Sequence, residues 1–173
     1  MNIVLKPLSK PNLPLLLKWL QAPHVKAWWD SDIDWNLALI WEKYGTYLEG
    51  YKYVNQQKKP LKAYIIKADN QPVGYLQFYN VRDFNDDIYL NRLPPKLAAI
   101  DMYIGEPSQL NQGIGSKALQ ILIKQFIALE FDNVLVTPDL NNYQAIACYR
   151  KAGFKPIYRH LKNHELWLLR NCI

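Results

Sequence analysis

Between an apolar run, Leu97–Ile104, and an amphipathic stretch over residues 116–131 lies the segment Gln109-Leu110-Asn111-Gln112-Gly113-Ile114-Gly115-Ser116. A Gly-x-Gly between a strand and a helix is either a plain turn or a place where the backbone admits a ligand. Glycine lets the backbone come close to a ligand, and the first amides of the following helix lack intrahelical partners. With the helix dipole, they form a cradle for a phosphate or pyrophosphate. No Gly-Lys-Ser/Thr follows, so this is not a Walker A loop. A single Gly-x-Gly with no acid on a following strand is not a dinucleotide fingerprint either.

The rest of the chain reads as alternating strands and helices. Residues 2–8 alternate as a short strand, and 13–20 show a helical face ended at Pro23. Residues 24–34 read as a loop carrying Trp28, Trp29, Asp30, Asp32 and Asp34. A longer helix is predicted over 35–51 and a polar, basic break over 55–62. Strands at 62–67 and 73–81 flank Asp69-Asn70-Gln71-Pro72, which reads as a hairpin turn. Residues 82–96 form a polar loop, long enough to suggest a functional role. A buried strand is predicted at 134–136. Asn142 is placed to cap a helix running to Ala152, with Gly153 just past its end. Strands at 154–159 and 165–169 close the chain. The expectation is one mixed α/β domain over residues 1–173, with no repeat and no linker.

Composition narrows the class. Half of the 173 residues are hydrophobic and 21% are charged, enough apolar material for a core. Two cysteines exclude a disulfide framework, and three scattered histidines (His24, His160, His164) have no metal-ligand spacing, so no metal is expected. The start, MNIVLKPLSK, has no apolar signal core, and no run reaches the ~18 apolar residues of a membrane span. A cytoplasmic protein with no membrane partner is the expectation. The net charge is +6, unevenly spread. Residues 30–49 carry five acids against one base, and residues 83–106 carry five against two. The basic remainder suits a polyanionic partner or phosphorylated cofactor, and the acidic stretches suit a cation. The charge and the 6 Trp, 12 Tyr and 5 Phe also leave a nucleic-acid-binding module as a non-enzyme alternative. No recognised module supports it, so no nucleic-acid partner is expected.

A second motif lies about 30 residues beyond the glycine turn: Asn142-Tyr143-Gln144-Ala145-Ile146-Ala147-Cys148-Tyr149-Arg150-Lys151-Ala152-Gly153-Phe154. The pair of motifs resembles the GNAT (Gcn5-related) N-acetyltransferase superfamily. The resemblance implies an α/β fold whose mixed, mostly antiparallel sheet is flanked by helices and splayed at its central strands. It implies acetyl-CoA as cosubstrate, with the pyrophosphate on Leu110, Asn111, Gln112, Gly113, Ile114, Gly115 and Ser116. The strand backbone at Met102, Tyr103 and Ile104 would take the pantetheine and thioester carbonyl, with Asn142 and Lys151 also on the cofactor side. Tyr149 would protonate the departing thiolate. The family pattern has Gln or Arg where this chain has Leu110.

The chain further resembles one branch, the aminoglycoside 6′-N-acetyltransferases. The matching pieces are Lys18-Trp19-Leu20, His24-Val25-x-x-Trp28-Trp29, Pro72-Val73-Gly74-Tyr75-x-Gln77-x-Tyr79, Ile100-Asp101 and the two motifs above. That likeness casts Asp101 as general base or amine anchor and places Trp29, Asp86 and Tyr89 in the acceptor pocket. A pocket Asp of that branch is Thr137 here, and Asp139 stands two residues on. The alternative is the siderophore-type acyltransferases, which share Pro138-Asp139-Leu140-Asn141-Asn142. Their characteristic histidine falls on Asp101, which argues against them. The reading implied is acetyl transfer to a small cationic amine, first choice an aminoglycoside 6′-amine, in a ternary complex. Asp101, with a carboxyl's reference value of roughly 3.9, is a better electrostatic anchor than base for an ammonium. Neither Cys148 nor Cys172 is placed as a nucleophile. A monomer or a homodimer fits equally.

Overall fold

The computed structural model describes all of residues 1–173. Eight strands and five α-helices follow in chain order: β1 (Ile3–Pro7), α1 (Leu13–Gln21), α2 (Pro23–Lys26), α3 (Leu37–Leu48), β2 (Tyr51–Val54), β3 (Gln57–Ala68), β4 (Gln71–Asn80), β5 (Leu97–Ile104), α4 (Ile114–Gln125), β6 (Asn133–Val136), α5 (Tyr143–Lys151), β7 (Lys155–His160) and β8 (Glu165–Asn171). The strand order is β1-β3-β4-β5-β6-β8-β7, with β2 paired to β3 off that path. The pairing is mixed. β5 and β6 run parallel, while β1–β3, β6–β8 and β7–β8 are antiparallel.

The chain divides into two compact units, 1–77 with 102–114, and 78–101 with 115–173. In the first, α1 presents Leu13, Leu16, Trp19 and Leu20 as a fully buried stripe, the helical spacing the sequence shows. β3 is buried from Tyr64 to Ile66. Trp29 packs with Tyr75 and Tyr103, which stack on each other, and Tyr44 meets Tyr75, at ring distances of 4.9–6.0 Å, mostly edge to face. In the second, Val81, Leu90, Leu97, Ala99, Leu135 and Trp167 form a core. There β5 pairs with β6 only through Leu97↔Asn133, Ala98↔Val134 and Ala99↔Leu135, although β5 runs on to Ile104. This is the opening expected at the central strands.

Several element bounds differ from the sequence reading. The helix predicted over 35–51 is α3. The Asn36 side chain accepts from the Leu39 amide at 3.0 Å and starts it at Leu37, and Gly50 at φ +85° ends it. The break predicted over 55–62 is mostly strand: β2 and β3 pair around Asn55 and Gln56, both at positive φ. Lysines on both strands hide the alternation there. Pro23 begins a short helix instead of only ending one, since its missing amide costs nothing at a first helical position. The helix predicted over 116–131 starts two residues earlier and stops at Gln125, where Phe126 leaves helical geometry at φ −126°. Two 3₁₀ turns, Val81–Asp83 and Ile88–Arg92, lie in and at the start of the predicted loop 82–96.

Candidate active site

Where β5 and β6 part, the second unit contains a cavity of about 140 Å³. Ile100 and Asp101 line it from β5, Val136 and Thr137 from the end of β6, and Tyr79, Phe84 and Asn85 from β4 and the turn after it. Asp101 is its one carboxylate. The Tyr79 hydroxyl donates to Asp101 Oδ2 at 2.9 Å, and the Tyr79 ring packs edge-on against Phe84 at 4.6 Å. This donor is a neutral hydroxyl, and it fixes the orientation of the carboxylate.

Tyr149 sits near the end of α5, which Asn142 caps by accepting from the Ala145 amide at 3.1 Å. Its ring meets Phe154 edge-on at 5.7 Å. Burial drives its phenol well above the usual tyrosine range, and the charge of Asp101 pushes it further the same way. The structure thus brings the two predicted catalytic residues into each other's field. Burial also pushes the neighbouring Cys148 thiol up to about 11, the opposite of what a nucleophile needs.

The glycine turn has the geometry its sequence implies. Asn111 (φ +61°) and Gly113 (φ +76°) reverse the backbone, and α4 begins at Ile114. Asn111 and Gln112 are exposed, Leu110 is half-buried, and Gly115 and Ser116 are buried in the first helical turn. Gln112 Nε2 donates to the Ser108 carbonyl at 2.6 Å and braces the turn. This arrangement fits a pyrophosphate: a positive-φ glycine at the approach, a twelve-residue helix behind it, and no acid in its first turn. Met102 and Ile104 are half-buried, while Tyr103 is buried and stacked on Tyr75 at 5.5 Å. Lys151 is exposed in the last turn of α5, and the Asn142 oxygen is used as a cap.

The residues expected to bind the acceptor lie in different settings. Trp29 is half-buried against Tyr103 at 4.9 Å, and its indole Nε1 is buried with no partner. Asp86 is exposed. Tyr89 is stacked on Tyr158 at 3.9 Å and edge-on to Trp167, as core packing. Asp139 accepts from the Asn141 amide at 2.7 Å and pairs with His164 at 3.2 Å; the amide is the larger cause that holds its carboxyl below the usual range. None of Asp86, Tyr89 and Asp139 lines the cavity around Asp101. Tyr79, Phe84 and Asn85 do, and sequence reasoning missed them. The alternation Tyr75-x-Gln77-x-Tyr79 places Tyr79 on one strand face. Phe84 and Asn85 carry no such signal.

A turn whose geometry suits a phosphorylated carrier, a carboxylate at the opened strand pair and a buried phenol are compatible with a group-transfer enzyme working on amines. The comparisons agree. The acetyltransferase (GNAT) domain family matches residues 9–160, and the chain belongs to that family. It is an N-acetyltransferase. It is 28% identical over 156 residues to an aminoglycoside N(6′)-acetyltransferase type 1 of Klebsiella pneumoniae, covering 89% of this chain and 74% of that one. A kanamycin resistance protein of Rhizobium radiobacter is 36% identical over 62 residues, covering 35% of this chain and 57% of the other. The crystal structure of AAC(6′)-Ib with coenzyme A and kanamycin is similar at a TM-score of 0.81 and 25% identity, over 98% of this chain and 95% of that one. No helix is long and apolar enough to cross a membrane.

Proposed function

We propose that the two units make up one acetyltransferase domain that uses acetyl-CoA to acetylate the 6′-amine of an aminoglycoside-type amino sugar. The observation that carries this is the single carboxylate, Asp101, held at the opened strand pair within the field of the buried Tyr149. The relatives' acceptors support the choice of amine.

Acetyl-CoA supplies, when bound, an acetyl group already activated as a thioester. Gly113 and the first amides of α4 would hold the pyrophosphate, and the backbone of Met102, Tyr103 and Ile104 would bind the pantetheine. Asp101 draws in the ammonium and orients it, with Tyr79 fixing the carboxylate. A carboxylate is a weak base for an ammonium, so the proton leaves through water while Asp101 keeps the nitrogen in line. Tyr149 hydrogen-bonds the sulfur as negative charge develops there. As the C–N bond forms and the C–S bond breaks, Tyr149 gives its proton to the departing sulfur, and the second proton of the attacking nitrogen passes through water and restores the phenol, so CoA leaves as the thiol. Trp29, Asp86, Tyr89 and Asp139 remain candidates for outer contacts to a large acceptor.

The test is thiol release from acetyl-CoA with 6′-amino aminoglycosides and a 6′-hydroxyl analogue. Turnover with the first and none with the second is expected. Turnover with N6-hydroxylysine alone would move the protein to the siderophore-type branch.

A further inference from the structure

The turn after β4 is held in an unusual way. The Asp87 amide donates to Asn85 Oδ1 at 2.9 Å, and the Asn85 amide donates to the Val81 carbonyl at 2.9 Å. Of the two ends of a carboxamide only the oxygen can accept an N–H, so the Asn85 oxygen is committed to its own turn. Its NH₂ is the end left for the cavity that Asn85 lines. Asp87 is itself fixed. Its Oδ1 accepts from the Tyr89 amide at 2.8 Å, and its Oδ2 lies 2.6 Å from His160 Nε2. The Asn163 amide donates to His160 Nδ1 at 3.2 Å, so Nε2 carries the hydrogen and donates to Asp87. The buried His160 ring lies nearly parallel to Trp167, 5.8 Å away at 22°. A chain of fixed contacts thus runs from the core through His160 and Asp87 to Asn85.

We propose that Asn85 is a specificity-determining residue: it donates to a neutral oxygen of the acceptor beside the reacting amine, while His160, acting through Asp87, is a positioning residue that sets its orientation. This deepens, and rests on, the acetyltransferase reading above. The cavity then reads two features. Asp101 accepts from the ammonium, and the Asn85 amide donates to a ring ether or hydroxyl. The acceptor class is an amine carried on an oxygenated ring, and an amine on a hydrocarbon ring leaves the Asn85 donors unpaired. A second ammonium at that point would face donors and be rejected.

The experiment compares kcat/KM for two amines of like size, a methyl 6-amino-6-deoxyglucoside and cyclohexylmethylamine. The natural chain should prefer the sugar amine by tenfold or more. Asn85→Ala should remove most of that preference. His160→Phe keeps a ring against Trp167 but loses the donor, and should lower the preference in the same direction, mainly through KM. His160→Gln keeps a donor and should restore it. A purely structural role for His160 would change stability without changing this ratio. No preference in the natural chain, or a preference that survives Asn85→Ala, overturns the assignment while turnover itself upholds the acetyltransferase reading. No turnover of either amine, or of any aminoglycoside, overturns both.

Discussion

One methyl group, added at either of two glycines, should have opposite effects. A Cβ on Gly74, in β4, would lie 2.5 Å from the Tyr103 carbonyl oxygen and 3.1 Å from the Ile104 Cα. Both obstacles are backbone, so no side chain can swing away. Reaching a tolerable contact requires the two strands to part locally by about 0.5–0.9 Å. The nearest backbone bonds are those of the Gly105 and Glu106 amides to the Val73 carbonyl, at 2.8 and 3.2 Å. Such a shift carries both to or beyond the useful limit of about 3.2 Å. Overpacking costs about 1–3 kcal/mol and each weakened bond up to ~1 kcal/mol, so Gly74→Ala should lose about 2–4 kcal/mol. For a chain of this length that is a fall in Tm of roughly 5–12 °C. Acetyl-CoA affinity should fall several-fold too, because the displaced residues are those assigned to the pantetheine. Gly45, inside α3, has nothing within 4 Å of its added Cβ. There alanine removes glycine's helix penalty and should gain about 0.5–1 kcal/mol. Urea unfolding of both variants, with acetyl-CoA titration of the first, measures all of this. A Gly74→Ala protein within ~0.5 kcal/mol of the parent would refute the reasoning.

Other outcomes follow from the site. Asp101→Asn should cut turnover tenfold or more while acetyl-CoA affinity, measured by calorimetry, stays within twofold; equal turnover would remove Asp101 from the mechanism. Cys148, with its thiol pushed up to about 11, should react with iodoacetamide at pH 8 far more slowly than a free thiol, and Cys148→Ala should keep activity. Asp87's carboxyl is held below its ordinary value of 3.8, first by the Tyr89 amide and then by the hydrogen bond from His160. Its stabilising contribution is therefore fully present above that ordinary value and is lost as pH falls through the lowered one. Asp87→Ala should flatten the acid limb of Tm against pH below about 4, and an unchanged limb would refute the contact.

Much of this was legible in the chain, for identifiable reasons. The glycine turn and the capped α5 were clear because both are local: Asn142, Gly153 and the apolar spacing each act within a turn or two of backbone. Asp101 was singled out only through a resemblance, and the structure places it in the cavity where β5 and β6 part. The β2–β3 hairpin was not legible. Its turn, Asn55-Gln56, places two non-glycine residues at positive φ, and Lys52 stands opposite Lys59 where alternation would show apolar residues. Phe84 and Asn85 were missed because a cavity wall made by a turn has no period.

The loop after β4 shows how a polar segment can be both long and fixed. Arg82 Nη2 donates to the carbonyls of Leu90, Leu93 and Pro94 at 3.0, 3.1 and 3.0 Å, tying the loop's return to its start. The Asp87–His160 contact ties its middle to β7. Leu90 also anchors the loop in the core, but these two ties use no apolar side chain and leave no hydrophobic pattern in the sequence. Such a wall has Asp101 on a strand and Phe84 and Asn85 on a turn, so, on the proposed reading, the acceptor contacts can change without moving the carboxylate. Arg82→Met tests this division. It removes the donors but keeps the aliphatic stem, and leaves carbonyls of the loop with no protein partner at a cost of about 1–3 kcal/mol. Amide hydrogen exchange should quicken over residues 82–96 while β5 and α5 keep their protection. Quickening that spreads to β5 would mean that the loop and the catalytic strand are one cooperative unit, and the division would be wrong.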